Sequence, residues 1–407
     1  MLGTVTIAAV SGVLGGGVVG SLAQVPEAVK SGEWEVGASV GAELRTFVQS
    51  PQYGGQFDTV QPSLTIEPDI RWQTDSGNHQ VVFTGFARLD GQDEERTHFD
   101  VREGYYRFIG DGYEVLLGAA KVFWGVTESR HLVDIINQTD AVEEIDEEDK
   151  LGQPMAKLSV FTDLGQLDLF LLPYFRERTF PGRDGRLRFD PAINTDEALY
   201  EDCNEEWAPS FAARYSHYIG SWDFSLNAFH GTSREPRILP RVVDNTTSLV
   251  PFYDRITQVG TTVQYTNDAW LWKFEGLVRE GQGDTFAAAV AGVEYTFFGV
   301  NERGADLGVL VEYLYDGRDQ ESFEAPPTPL EDDVFLGARY TLNDTQDTAV
   351  LAGFITDVDD AAISGLLEAE RRIGQNWTGE LEARFFVNTE ENLLAAFKRD
   401  SYVTMRL

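Results

Sequence analysis

About eighteen short segments of this chain alternate apolar and polar residues, and the stretches that join them fall into two length classes that themselves alternate. Side chains point to opposite faces of a β-strand at a period of two, so each segment reads as a strand with one greasy and one polar face. Glu33–Val48 sets the pattern: Trp34, Val36, Ala38, Val40, Ala42 and Leu44 fall on one face, Glu35, Gly37, Ser39, Gly41, Glu43 and Arg45 on the other. It recurs near 63–73, 80–91, 100–109, 112–121, 155–163, 166–173, 209–219, 222–232, 254–266, 269–281, 284–299, 304–317, 332–342, 347–357, 361–373, 377–388 and 394–407. The short connectors are 74–79, 110–112, 164–166, 220–221, 267–269, 343–347 and 374–376, and the longer ones are 49–62, 92–99, 122–154, 174–208, 233–253 and 318–331. A sandwich of two sheets gives the same local alternation but does not require this loop register. An up-and-down barrel does require it, and closure leaves no unpaired strand edge.

Strand length and tryptophan placement set this barrel in a membrane. Most segments have about 8–15 residues, and a tilted membrane strand needs about 9–11. Outer-membrane barrels carry short periplasmic turns and longer extracellular loops. Six of the eight tryptophans, Trp34, Trp72, Trp222, Trp270, Trp272 and Trp377, lie near the short-turn end, as an interfacial girdle would. Trp124 and Trp207 sit in long loops. The first residues, MLGTVTIAAVSGVLGGGVVGSLAQ, are apolar and small, with Ser21-Leu22-Ala23 placed for cleavage before Gln24. Residues 1–23 therefore read as a secretory signal peptide and 24–407 as the barrel, although no Lys or Arg precedes the apolar core. A formal net charge of −35 argues against nucleic acid, whose phosphates need a basic surface. The single cysteine, Cys203, excludes an intrachain disulfide.

On these features the mature chain resembles Gram-negative outer-membrane porins. The expected signal peptide, the strand pattern, the girdle and the terminal strand SYVTMRL carry the likeness. Porins usually end in Phe or Trp, and Leu407 departs from that. The tract KVFWGVTESRHLVDIINQTD resembles the inward-folding region of substrate-specific porins. The resemblance implies an outer-membrane location, contact with outer-membrane lipids and lipopolysaccharide, passage of small solutes, and compatibility with a homo-oligomer.

Val122–Pro154 is the exception to the alternation. It mixes apolar anchors (Phe123, Trp124, Leu132, Val133, Ile135, Ile136) with polar groups, Arg130–Ile136 is compatible with one helical turn, and it closes on the acidic run Glu143–Asp149. A disordered loop does not carry so many apolar residues together, and connections this long are usually functional. The expectation is that it packs on the inner wall or across the mouth and narrows the pore. Arg130, Asp134, Asn137 and Asp140 are the expected contacts with solute or wall, and Glu143 and Glu144 begin the run expected to favour cations. Lumen-facing charge is expected from Arg45, Arg71, Arg88, Arg279, Arg384, Glu67, Glu312 and Glu382.

Gly37-Ala38-Ser39-Val40-Gly41 matches G-x-S-x-G but lies mid-strand, without the helix that a nucleophile elbow needs. Asp357-Val358-Asp359-Asp360 with Glu368 matches a calcium loop only in part, because Ala361 and Ala362 stand where an oxygen ligand and Gly are needed. No cofactor motif appears, and the five histidines show no metal-ligand spacing. The expectation is thus an all-β, transmembrane, up-and-down antiparallel barrel of about 18 strands, with 16 as the alternative, acting as a non-enzymatic diffusion channel for small polar or charged solutes. An outer-membrane lipase or protease and a plugged structural or adhesin barrel remain the rivals.

Overall fold

The computed structural model describes residues 3–7, 32–243, 246–358, 361–389 and 393–407. Eighteen antiparallel strands form its wall: β1 (Glu33–Phe47), β2 (Val60–Gln73), β3 (His79–Asp90), β4 (Phe99–Ile109), β5 (Tyr113–Ala120), β6 (Gln153–Thr162), β7 (Gly165–Leu172), β8 (Ser210–Ile219), β9 (Trp222–Thr232), β10 (Arg255–Asn267), β11 (Trp270–Glu280), β12 (Phe286–Phe297), β13 (Asp306–Asp316), β14 (Asp332–Thr341), β15 (Ala349–Asp357), β16 (Ile363–Ile373), β17 (Trp377–Val387) and β18 (Tyr402–Arg406). Each strand pairs with its sequence neighbour, and β18 pairs with β1 through Glu43↔Arg406 and Phe47↔Tyr402, which closes the barrel. The turns lie at one end and the long connections at the other, as the loop lengths predict, with 281–285 and 358–362 as short links at the long-loop end.

Two details of the seam differ from the sequence reading. The last strand starts at Tyr402, and Leu393–Phe397 is a 3-10 turn. Asp400 is fully buried against Arg186, so the residues before β18 serve as an anchor instead of extending the ladder. Residues Gly3–Ile7 pair with β1 and β17 (Thr4↔Gly41, Val5↔Trp377), in line with β18. The rest of the expected leader lies outside the described residues.

Alternation along the wall is clear in β13, where Val309, Val311, Tyr313 and Tyr315 face outward while Gly308, Leu310, Glu312, Leu314 and Asp316 are buried inside. The outward rings gather at the turn end, with Trp34 against Trp72 at 6.2 Å and Trp270 stacked on Trp272 at 6.0 Å.

The interior departs from a uniformly polar lumen. In the loop-end half, Leu116, Ala120, Phe170, Leu172, Phe229 and Ile256 form one buried cluster with Trp124, Val133, Ile135 and Ile136. Leu277, Phe286, Val290, Leu310, Leu314 and Phe335 form a second with Leu132. These strands are apolar on both faces because residues 121–152 fill the lumen beside them. Fully burying one such side chain contributes about 1.5–3 kcal/mol.

Candidate functional site: a plug inside the barrel

The segment 121–152 leaves the wall after β5 and rejoins it at β6. Asn137 ties its two ends together, accepting from Val122 N at 2.8 Å and donating to the carbonyls of Ala120 and Leu151, both at 2.8 Å. Trp124, 1% exposed, packs edge-on against Phe170 at 5.6 Å. At the exit, a Cβ on Gly152 would sit 2.0 Å from Val101 O, so the close approach to the wall needs glycine there.

One arm of the plug is held by wall carboxylates acting on backbone amides. Glu275 on β11 is fully buried and accepts from Val126 N (2.6 Å), Thr127 N (3.1 Å), Thr127 Oγ1 (2.8 Å) and Val133 N (3.3 Å). Glu312 on β13 accepts from Glu128 N (2.9 Å), Ser129 N (2.8 Å) and Ser129 Oγ (2.6 Å). Arg130 reaches Asp316 at 3.2 Å. The helical turn expected over Arg130–Ile136 is absent; the chain makes open turns, with Asp134 N on His131 O at 3.2 Å. Val133 N is satisfied by the Glu275 carboxylate instead of by a carbonyl four residues back. Arg234 crosses from the loop after β9 to donate to Ile136 O at 2.9 Å.

The other arm, 138–151, doubles back as a narrow hairpin (Asp140 N to Asp149 O, 2.8 Å; Leu151 N to Gln138 O, 2.9 Å). Its tip carries the acidic run into a set of arginines. Glu143 receives Arg88 from β3 through Nε and Nη2, at 2.8 and 2.5 Å. Glu144 receives Arg45 from β1, Arg406 from β18, and the Tyr402 hydroxyl at 2.8 Å. Asp146 pairs with Arg384 from β17 at 2.5 Å, and Glu147 with Arg178 at 2.7 Å. Arg96 donates to Val142 O at 2.8 Å and pairs with Glu43 at 2.8 Å. Asp140, fully buried, takes His98 at 3.1 Å, Arg102 at 2.7 Å and Thr179 Oγ1 at 2.8 Å. The charge that balances Asp140 and Glu143 beside His98 is thus supplied by Arg102 and Arg88. Burial alone would raise the Asp140 carboxyl, but the bond from His98 and the guanidinium of Arg102 hold it at about 2. Burial likewise works against Glu144, and Arg45 and Arg406 outweigh it, so its pKa is lowered.

The expected contact residues all lie in the plug but not at one point: Arg130 meets β13, while Glu143 and Glu144 meet β1, β3 and β18, and most are occupied. Asn137, Asp140, Glu143 and Glu144 are buried and bound to wall or plug. Asp134 accepts from Trp124 N and faces Lys150 at 3.5 Å. Of the expected lumen charges, Arg45, Arg88, Arg279, Arg384, Glu312 and Glu382 are buried at the level of the plug, while Arg71 and Glu67 remain exposed nearer the turn end. Solvent reaches the side facing β14–β16: Arg339 bonded to Glu128 is 41% exposed, Glu368 bonded to Arg384 is 39% exposed, and Glu148 is exposed.

A second closure was not expected. The loop 174–208 runs over the mouth, with Phe57 N on Asp184 O at 2.8 Å, Gly182 N on Asp93 at 3.1 Å and Arg186 on Asp400 at 2.7 Å. Beside it, Arg237–Val243 pairs with Thr246–Tyr253, which pairs in parallel with Leu199–Tyr200. The arginine-rich tract Arg176–Arg188 was the available signal for a loop that docks on carboxylates. Ser39 of the G-x-S-x-G match sits mid-strand opposite Glu67. Asp359 and Asp360 of the calcium-like stretch lie outside the described residues, and Glu368 is held by Arg384.

No family model matches this chain, and no curated protein matches it by sequence. Among solved structures it is similar to Wzi of Escherichia coli, an outer-membrane protein involved in group 1 capsule assembly and described as a carbohydrate-binding β-barrel. The TM-score is 0.52 at 9% identity, over 93% of this chain and 84% of that one. OmpT of Vibrio cholerae aligns with a TM-score of 0.45 at 10% identity, over 92% of this chain and 98% of that one. A mutant of the Rh. blastica porin aligns with a TM-score of 0.40 at 12% identity, over 90% and 97%. At such identities the likeness is one of fold. The chain is a closed 18-stranded antiparallel β-barrel, similar in fold to the outer-membrane barrel Wzi.

Proposed function

We propose that this barrel is a narrow, selective outer-membrane channel for small polar or charged solutes, with its turn end in the periplasm and its plug fixed at the extracellular half. The observation that carries this reading is the asymmetry of the plug. It is sealed by apolar packing and ion pairs along β1–β13 and leaves charged groups in solvent beside β14–β16. A passage there is lined by Glu128, Glu148, Glu368 and Arg339, and the surplus of carboxylates favours cations. The chain's chemistry is binding and passage, without a catalytic step. Single-channel recording of the purified barrel tests this: small cation-selective steps are expected, and a variant lacking 126–149 should give much larger ones.

A second reading is favoured by the covered mouth. The buried Arg186–Asp400 pair fastens loop 174–208 over the plug, as suits a sealed barrel that presents an extracellular binding face. The fold likeness to a carbohydrate-binding barrel agrees with it. A folded wild type that never conducts, yet binds surface glycans, would replace the first reading with the second.

A further inference from the structure

Four of the six carboxylates in Glu143–Asp149 have a cationic partner: Glu143 with Arg88, Glu144 with Arg45 and Arg406, Asp146 with Arg384, and Glu147 with Arg178. The carboxylates of Glu148 and Asp149 have no hydrogen-bond or ion-pair partner among the described residues, although the backbone of Asp149 is fixed by its bond to Asp140 N. The nearby cations are engaged elsewhere. Lys150 turns to Asp134 at 3.5 Å and Thr139 Oγ1 at 3.3 Å, and Arg102 is held by Asp140 at 2.7 Å. Asp149 therefore lies in the field of Glu143, Asp146 and Glu144 of its own hairpin, partly offset by Arg102 from β4. Glu148 faces Glu368 from β16, Glu128 from the opposite arm and Asp149, with Arg384 from β17.

We propose that Asp149 is the trigger of a pH-sensitive latch on the plug. Neutral, it lets the tip 141–149 stay seated on the arginines of β1, β3, β17 and β18. Ionised, it adds a negative charge to a tip whose cations are already taken, and like-charge repulsion lifts the hairpin toward solvent. The proton is exchanged with water in the lumen.

The electrostatics agree in sign. Burial, followed by the charges of Glu143, Asp146 and Glu144, pushes Asp149 from its ordinary 3.8 up to about 7, and burial moves Asp146 to about 6. An acid raised in the seated state binds its proton more tightly there than in the released state, so seating weakens as pH rises between the two values. For Asp149 alone, the released fraction should grow about thirtyfold between pH 5.5 and 8.

Hydrogen exchange on the full barrel in detergent tests this without requiring conduction. The amide of Val142, which bonds from the tip to Thr179 Oγ1 outside the hairpin, should exchange about thirtyfold faster at pH 8 than at pH 5.5 after correction for the intrinsic rate. Asp149→Asn should lose most of the response, keeping only the smaller part that Asp146 contributes, and Glu148→Gln should retain most of it. A flat wild type, or a D149N variant that responds as fully, overturns the latch. If D149N loses the folded, heat-modifiable gel band, Asp149→Ser takes its place. The conductance reading rests on the channel function proposed above: current should rise with pH in the wild type and much less in D149N. Exchange that responds in a barrel that never conducts would uphold the latch and refute the channel.

Discussion

Removing the Glu275 carboxylate should release the plug while leaving the wall intact. Glu275 is fully buried and accepts four hydrogen bonds, all from residues 126–133, at 2.6–3.3 Å. Each buried donor left without an acceptor costs about 1–3 kcal/mol. The four are neighbours and relax together, so their losses do not add. A net loss of about 3–5 kcal/mol of seating energy is expected for Glu275→Ala, since water entering the gap recovers part of the total. Glu275→Gln keeps one oxygen acceptor and loses the charge assistance, so it should fall between Ala and wild type. β11 itself keeps its ladder to β10 and β12, which involves backbone alone, so assembly should persist. Hydrogen exchange at Val126, Thr127 and Val133 reads the seating, and gel heat-modifiability reads the wall. Unchanged protection of those three amides in a folded Glu275→Ala barrel would refute the assignment of Glu275 as the principal anchor of this arm.

Other consequences follow from the same geometry. Arg186→Ala leaves Asp400 buried without its cation, a loss of about 3–5 kcal/mol; trypsin should then cut at Arg183 in the folded barrel, and continued resistance would mean that loop 174–208 is held elsewhere. Val311→Arg places a charge on the outer wall at a cost of about 2–4 kcal/mol and should lower folding yield into vesicles. Glu312→Arg should fold and instead lose the protection of Glu128 and Ser129, because the Glu312 carboxylate holds the plug rather than the wall. Asp140 is held at about 2, below its ordinary value. The stability it contributes is therefore present above about pH 4 and is lost as pH falls toward 2, so exchange of the 138–151 hairpin should accelerate in strong acid as well as in base.

The sequence by itself determined the wall. A period-two pattern repeated over eighteen segments, with loop lengths in two alternating classes, leaves an up-and-down barrel as the consistent solution, and strand register follows because a slip by one residue would turn every side chain around. It also indicated that 122–154 packs on the inner wall or across the mouth, since a tract carrying Trp124, Val133 and Ile136 must bury them somewhere, and the structure decides for the lumen. What it did not determine is which polar groups are free. Glu143 and Glu148 look alike in the chain, and only the tertiary structure assigns Arg88 to the first and leaves the second in solvent. The inward Leu310 and Leu314 were visible between outward Val309, Val311 and Tyr313, yet an apolar inner face has a meaning only once a plug is known to cover it. Partners such as Arg45 with Glu144 and Arg186 with Asp400 lie 99 and 214 residues apart along the chain. Ion pairs are short-ranged and their residue types are common, so pairings over such separations are set by barrel closure and loop path, which no local pattern encodes.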